Sequence, residues 1–262
     1  MSRQIVTLTT DWNHKAYYAG AVKGGLLKIC SDITIVDISH NIVPFNIMQT
    51  AFILKSSYKH YPENTIHIIG VNSEETTENK LLLIKHENQY FLGADNGVFS
   101  LLFDEKSEII VRLMPESDKF SIFPELEIFP NIVQSIIEGK PIEEIGIIVE
   151  AYKEQSNLMP VYNNDSLTGH VIYIDSYNNA ITNIKKDFFE KIRKGRDFDI
   201  LVQSNQHKVS KINNSYFETS NGDILAIFNT IGHLEIGIKN GSASDLLNLE
   251  IKSNIRIKFY DH

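Results

Sequence analysis

The chain has one cysteine, Cys30, in 262 residues. It can form no intramolecular disulfide and no thiolate metal cluster, and neither is expected. Cys30 falls on the apolar side of an expected helix, which reads as a buried, inert thiol. Long apolar runs are also missing, and none approaches the ~18 residues of a bilayer-spanning helix. Basic residues are the minority, with 25 Lys and Arg against 33 Asp and Glu and a net charge of -8. Duplex nucleic acid is therefore a poor partner, because neutralising its phosphates takes clustered cations. The cations that do cluster, at 185–186 and 191–196, flank one expected helix and read as its solvated face. There is no internal repeat and no low-complexity segment. Met1-Ser2-Arg3-Gln4 leads into a strand-like run without a hydrophobic leader, so the expected location is the cytoplasm, with no membrane partner.

What remains is the composition of an ordinary globular protein, 42% hydrophobic and 22% charged, long enough for two modest cores. Residues 5–10, 34–39 and 65–71 are β-branched runs that read as buried strands. Between them, residues 16–30 carry apolar positions at helical spacing, and Asn46 is a good N-cap for a helix to about Ser57. This alternation predicts a mainly parallel sheet covered on both faces. Residues 81–85 and 90–92 read as a hairpin, Asp95-Asn96-Gly97 as a turn, and 98–104 and 130–138 as helices. From His170 the pattern changes to short strands at 170–174, 180–184, 198–204, 224–229, 233–239 and 254–260, with one helix near 186–194. The expectation is an α/β N-terminal domain over 1–155 and a C-terminal antiparallel domain over 165–262, a small β-barrel or sandwich.

The most unusual segment is Asp175-Ser176-Tyr177-Asn178-Asn179-Ala180-Ile181-Thr182-Asn183-Ile184, which follows the apolar run 171–174. A carboxylate and several amides where a strand reverses suit a polar small molecule with an ammonium group and a heteroaromatic edge. Asp11 ends the first strand in a similar way. Both positions also suit plain capping and turn formation.

Four blocks taken together resemble the S-adenosylmethionine-dependent hydroxide adenosyltransferases, relatives of the adenosyl fluorinase and chlorinase. They are Leu8-Thr9-Thr10-Asp11 with Tyr18 and Lys23-Gly24; Ile35 to His40 with Pro44-Phe45; Asp95 to Ser100; and Asp175 to Ile184 with 232–236 and 240–243. The resemblance covers nearly the whole chain. It implies an α/β domain, a β-barrel, and a homotrimer whose sites lie between subunits. It also implies attack of a small nucleophile on C5′ of S-adenosylmethionine, with no metal and no cofactor. Carried over by position, Asp11 would hold the ribose hydroxyls, Asp175 the methionine ammonium, and Asn179 an adenine edge. Phe45 and Tyr177 would flank the nucleoside. Thr230 would meet the methionine carboxylate, and the backbone near Asn240 the adenine.

The catalytic positions depart from the pattern. Where hydrolytic members have Asp, Arg and His, this chain has Asn72, Asn79 and Pro124, and Glu74 and Thr76 replace loop glycines. Glu125 stands where the halogenating branch has a serine, and it would repel a halide. The inserted loop of the fluorinase is also missing, so halogenation is not expected. Two readings stand. In one, the chain still hydrolyses S-adenosylmethionine, with Glu125 or Glu74 as the base, and Glu125, Asn72 and Asn79 are the candidate catalytic residues. In the other, it binds S-adenosylmethionine or a nucleoside without turnover.

Overall fold

The computed structural model describes residues 3–114, 120–156, 158–203 and 207–260. The chain divides into two compact units, Met1–Ser156 and Asn157–His262. The start Met1-Ser2 and the last residue of the strand expected at 198–204 lie outside the described residues.

The first unit runs β1 (Gln4–Thr10), α1 (Tyr18–Ile29), β2 (Ile33–Ser39), α2 (Ile47–Lys55), β3 (Ile66–Gly70), β4 (Leu81–His86), β5 (Gln89–Ala94), α3 (Val98–Leu102), β6 (Ile109–Arg112), α4 (Pro124–Glu127), α5 (Phe129–Ile137) and β7 (Ile147–Ile148). Its seven-stranded sheet has the order β2-β1-β3-β5-β4-β6-β7. Pairing is parallel from β2 to β5 and antiparallel from β5 to β7. The parallel half follows from the helical crossovers α1 and α2, and the antiparallel half from the β4–β5 hairpin. Period-two alternation explains the two cores. Ile66 and Ile68 face one cluster with Leu83, Val22, Leu26, Phe129 and Val133. Ile69, Leu82 and Ile84 face the other, with Leu54, Val98 and Phe99. Full burial of each such side chain is worth about 1.5–3 kcal/mol. Asn46 caps α2 by accepting from the Gln49 N–H at 3.0 Å. Cys30 ends α1 half-buried rather than buried, and burial first, then Glu138, raises its thiol pKa.

Among the polar groups buried in this unit is an imidazole bridging strands. His67 of β3 is fully buried, with Nδ1 2.7 Å from Thr7 Oγ1 and Nε2 2.6 Å from Gln89 Oε1. Because the amide oxygen can only accept, Nε2 carries the hydrogen and Nδ1 accepts from Thr7. Burial pushes the imidazole pKa down to about 4, so the ring is neutral at neutral pH.

The second unit comprises β8 (Val161–Tyr162), β9 (Ser166–Ile174), β10 (Ala180–Lys185), α6 (Lys186–Arg193), β11 (Asp197–Val202), β12 (His207–Val209), β13 (Ile224–Phe228), β14 (His233–Ile238), α7 (Ala243–Leu246) and β15 (Asn254–Tyr260). Its strands pair antiparallel in the order β12-β11-β15-β9-β10-β14-β13, with β8 added to β9. The Asn213 N–H donates to the Ala226 carbonyl at 2.8 Å, so the segment after β12 meets β13 and the sheet curls into a nearly closed barrel. Its core gathers Leu167, Val171, Phe189, Ile200, Leu234, Ile236 and Ile257. Among the described residues, no helix is long and apolar enough to cross a membrane.

Candidate functional site

In the first unit the candidate site lies where parallel strands end, the customary ligand position of an open α/β sheet. Thr10, the last residue of β1, pairs with Gly70, the last of β3, and the Asp11 N–H donates to the Gly70 carbonyl at 3.4 Å. Asp11 therefore stands just beyond the sheet edge. Its Oδ2 accepts from the Phe45 N–H at 2.8 Å. Burial raises the Asp11 pKa, and that hydrogen bond opposes the rise. Phe45 adopts a left-handed backbone conformation with φ 66° and leaves its ring 72% exposed. An aromatic residue at positive φ is strained, at a cost of about 1–3 kcal/mol, so the contact with Asp11 is held against a local preference.

Glu125 approaches the same place from α4. Pro124 opens that helix, where its missing N–H costs nothing, and Phe123 is the cap residue. Glu125 is 0% exposed, and neither carboxyl oxygen has a hydrogen-bond partner of acceptable geometry. Burial pushes its pKa up to about 7; the nearby Asp11 charge adds to the rise, and the Ser73 hydroxyl opposes it. The bare Cα of Gly70 makes the room, since a Cβ there would sit 3.0 Å from Glu125 Oε1 and 2.6 Å from Trp12 Cζ2. The Trp12 ring meets Phe123 edge-on at 5.4 Å.

Behind this pair, His40 is 1% exposed, with Nδ1 2.6 Å from Thr10 Oγ1 and Nε2 3.1 Å from Asp37 Oδ1. Asp37 in turn meets Lys23 Nζ at 2.6 Å. Burial lowers the His40 pKa despite Asp37. Its side chain braces β1 against β2.

The loop after β3 is rigidly held. Asn96 Nδ2 donates to the Val71 and Asn72 carbonyls at 3.0 and 2.9 Å, and Asn96 Oδ1 accepts from the Val98 N–H at 3.1 Å. The Asp95-Asn96-Gly97 turn therefore has the structural role its residues suggest. Thr76 closes a second turn, accepting the Asn79 N–H on its hydroxyl at 2.9 Å. The Glu75 N–H donates to the Ser121 carbonyl at 3.1 Å, which ties the loop to the segment leading into α4. Asn72 and Glu74 are exposed and Asn79 is half-buried. Of the two carboxylates considered as a base, only Glu125 lies in a dry environment.

In the second unit, the β9–β10 turn and β14 frame a cavity of about 680 Å³. It brings together Asp175, Tyr177, Asn179 and Asn240, with Tyr216 and Glu235. Asp175 Oδ1 accepts from the Tyr177 and Asn179 N–H groups at 2.9 and 2.8 Å, and its Oδ2 accepts from Asn179 Nδ2 at 3.1 Å. This fixes the Asn179 amide with its nitrogen toward Asp175, leaving Oδ1 as the free acceptor. Tyr177 is 78% exposed. Asn240, at φ 56°, donates from Nδ2 to Asn221 Oδ1 at 2.9 Å. Thr230 sits apart, exposed in the β13–β14 turn and outside the cavity lining.

Sequence reasoning did not single out Trp12, Tyr216 or Glu235. Tyr216 donates its hydroxyl hydrogen to Glu235 Oε1, and Asn229 Nδ2 donates to Oε2 at 3.2 Å. Burial, reinforced by Glu235, raises the tyrosine pKa. The available signal was a glutamate between the buried Leu234 and Ile236 of β14, which demands a partner once buried itself.

The fold defines a protein of two units, an α/β unit and a β-barrel unit, each with an acidic candidate site. Residues 6–146 match the model of the SAM hydroxide adenosyltransferase N-terminal domain, and residues 169–256 match that of its C-terminal domain. The chain belongs to the SAM hydroxide adenosyltransferase family. It is 30% identical to a Methanocaldococcus jannaschii protein named (R)-S-adenosyl-L-methionine hydrolase, over 97% of this chain and 95% of that one. It is 20% identical to a protein of Actinopolyspora mzabensis named fluorinase, over 98% and 97% of the two chains. An uncharacterized conserved protein from Thermotoga maritima shares its fold with a TM-score of 0.85 and 26% identity, over 97% of this chain and 99% of that one.

Proposed function

We propose that this protein hydrolyses S-adenosylmethionine to adenosine and L-methionine, with water as nucleophile and Glu125 as general base. The observation that supports it best is the buried, unpartnered Glu125 carboxyl beside Asp11 at the end of the parallel strands. A base with a pKa near the working pH combines a useful ionised fraction with useful proton affinity. The water oxygen attacks C5′ while the C5′–S electron pair leaves with sulfur as methionine's thioether, and Glu125 takes the water proton. The sulfonium charge favours ionised Glu125, so the substrate itself readies the base. The leaving group is already activated, so alignment and water exclusion carry the remaining catalysis and no cofactor is called for.

Asp11 has its Oδ1 free for the ribose hydroxyls, and Phe45 covers the nucleoside. Asp175 takes the ammonium, and Asn179 Oδ1 accepts from the adenine amine. Tyr177 flanks the base, Asn240 meets it through its backbone, and Thr230 meets the methionine carboxylate. Asn72 and Asn79 orient water without deprotonating it. The two sites belong to one ligand in a homotrimer, where neighbouring copies contribute them, and we place that assembly in the cytoplasm.

The test is incubation with S-adenosylmethionine and chromatography for adenosine and methionine. Wild type forms both; Glu125→Gln binds the substrate and forms neither. Binding without product in wild type would leave a nucleoside-binding protein, and absence of binding would remove both readings.

A further inference from the structure

We propose that Trp12 is a positioning residue for this reaction: its indole closes the β3 side of the pocket around the Glu125 carboxyl and keeps bulk water out on that side, so that the carboxyl meets only the attacking water. The inference rests on Glu125 acting as the base. Trp12 is the only tryptophan in the chain. Indole and carboxyl meet over the same bare Cα, since the Cβ position of Gly70 lies 2.6 Å from Trp12 Cζ2 and 3.0 Å from Glu125 Oε1.

Three contacts fix the ring. It meets Phe123 at 5.4 Å with planes 82° apart, lies stacked on His40 at 6.3 Å with planes 16° apart, and is tilted against Tyr18 at 6.3 Å. Phe123 caps α4, so the contact that holds the indole also holds the turn bearing Glu125.

The polar groups around Glu125 do not account for its isolation. Asp11 faces it from the end of β1, and Ser73 from the loop after β3. His40 lies across the indole with Asp37 and Lys23 behind it, His14 packs on His40 at 5.1 Å, and Tyr18 closes the α1 side. None forms a hydrogen bond of good geometry to either Glu125 oxygen. The indole, over the bare glycine and beside the Thr10 methyl, is the ring placed to exclude water on the β3 side. With the indole gone, water would hydrate the carboxylate and weaken it as a base.

The test uses the full-length protein with carbon-13 in the glutamate carboxyls, the Glu125 resonance being assigned by its loss in Glu125→Gln. Trp12→Ala should lower the Glu125 titration midpoint by about one pH unit or more, a tenfold or greater loss of proton affinity. Trp12→Phe, which keeps an apolar ring, should lower it by less than half as much. The acid limb of the kcat profile should move with the midpoint while KM for S-adenosylmethionine stays within about threefold. If Trp12→Ala does not fold, Trp12→Leu carries the same prediction. A midpoint unchanged in the folded variant, or an ordinary carboxylate midpoint in wild type, overturns the proposal. Absence of turnover together with the predicted midpoint shift would remove the hydrolase reading and leave the shielding role intact.

Discussion

Replacing Glu125 with glutamine changes the charge of the group but hardly its volume, so the consequence for stability can be worked out with its sign. The carboxyl titrates near 7 in the folded chain and near 4.5 when unfolded. The folded state binds this proton more tightly, so its contribution is fully present below about pH 4.5 and is lost as pH rises through 7. At 1.36 kcal/mol per pH unit the loss amounts to about 3 kcal/mol. His67 works in the opposite direction. Its pKa is about 4 when folded against 6.5 unfolded, so it contributes stability above pH 6.5 that is lost as pH falls to 4. In wild type the two largely offset one another between pH 4.5 and 6.5. Glu125→Gln removes one side of that balance. The variant should match wild type at pH 4.5 and exceed it by about 3 kcal/mol at pH 8, roughly 6–12 °C in Tm, while losing stability in acid more steeply. Urea unfolding followed by Trp12 fluorescence reads the unit that contains both groups. Parallel stability curves for the two proteins from pH 4.5 to 8 would show that Glu125 is not held protonated by burial, and the argument would fail.

Gly70→Ala should push Trp12 and Glu125 apart and cost about 1–3 kcal/mol in urea unfolding, because both side chains crowd the new Cβ. Asp11→Asn keeps an acceptor for the Phe45 N–H but removes a charge that raises the Glu125 pKa. The acid limb of its rate profile should shift to lower pH, and S-adenosylmethionine should bind about ten- to a hundredfold more weakly by calorimetry. Tyr216→Phe strips a buried carboxylate of one of its two donors and should lower thermal stability by about 1–3 kcal/mol.

The parts of the fold legible in the sequence were those with local causes. β-branched runs, helical periodicity in 16–30, the Asn46 cap and the change of rhythm at His170 each act over a few residues. Strands β6, β7, β8 and β12 and helices α4 and α7 were not foreseen. The strands are short, β6 being held by β4 and β7 and β12 by its neighbour β11, and the helices are single turns held by packing. Asp11, Asp175 and Asn179 stood out as polar groups at strand ends. Burial was harder to read: Glu125 was marked by its place in the resemblance and Glu235 by nothing local, and only tertiary packing makes one a solitary acid and the other a tyrosine partner. Trp12 was hidden for a related reason, since its contacts come from Gly70, His40 and Phe123, all distant in the chain.

Hydrolysis at C5′ with Glu125 taking the proton is tested most directly in water enriched in oxygen-18. Wild type should release adenosine carrying the heavy oxygen on its 5′ carbon together with unlabelled methionine, and Glu125→Gln should release neither while still binding S-adenosylmethionine. Undiminished labelled adenosine from the glutamine variant, or wild-type product lacking the label at C5′, would contradict the account.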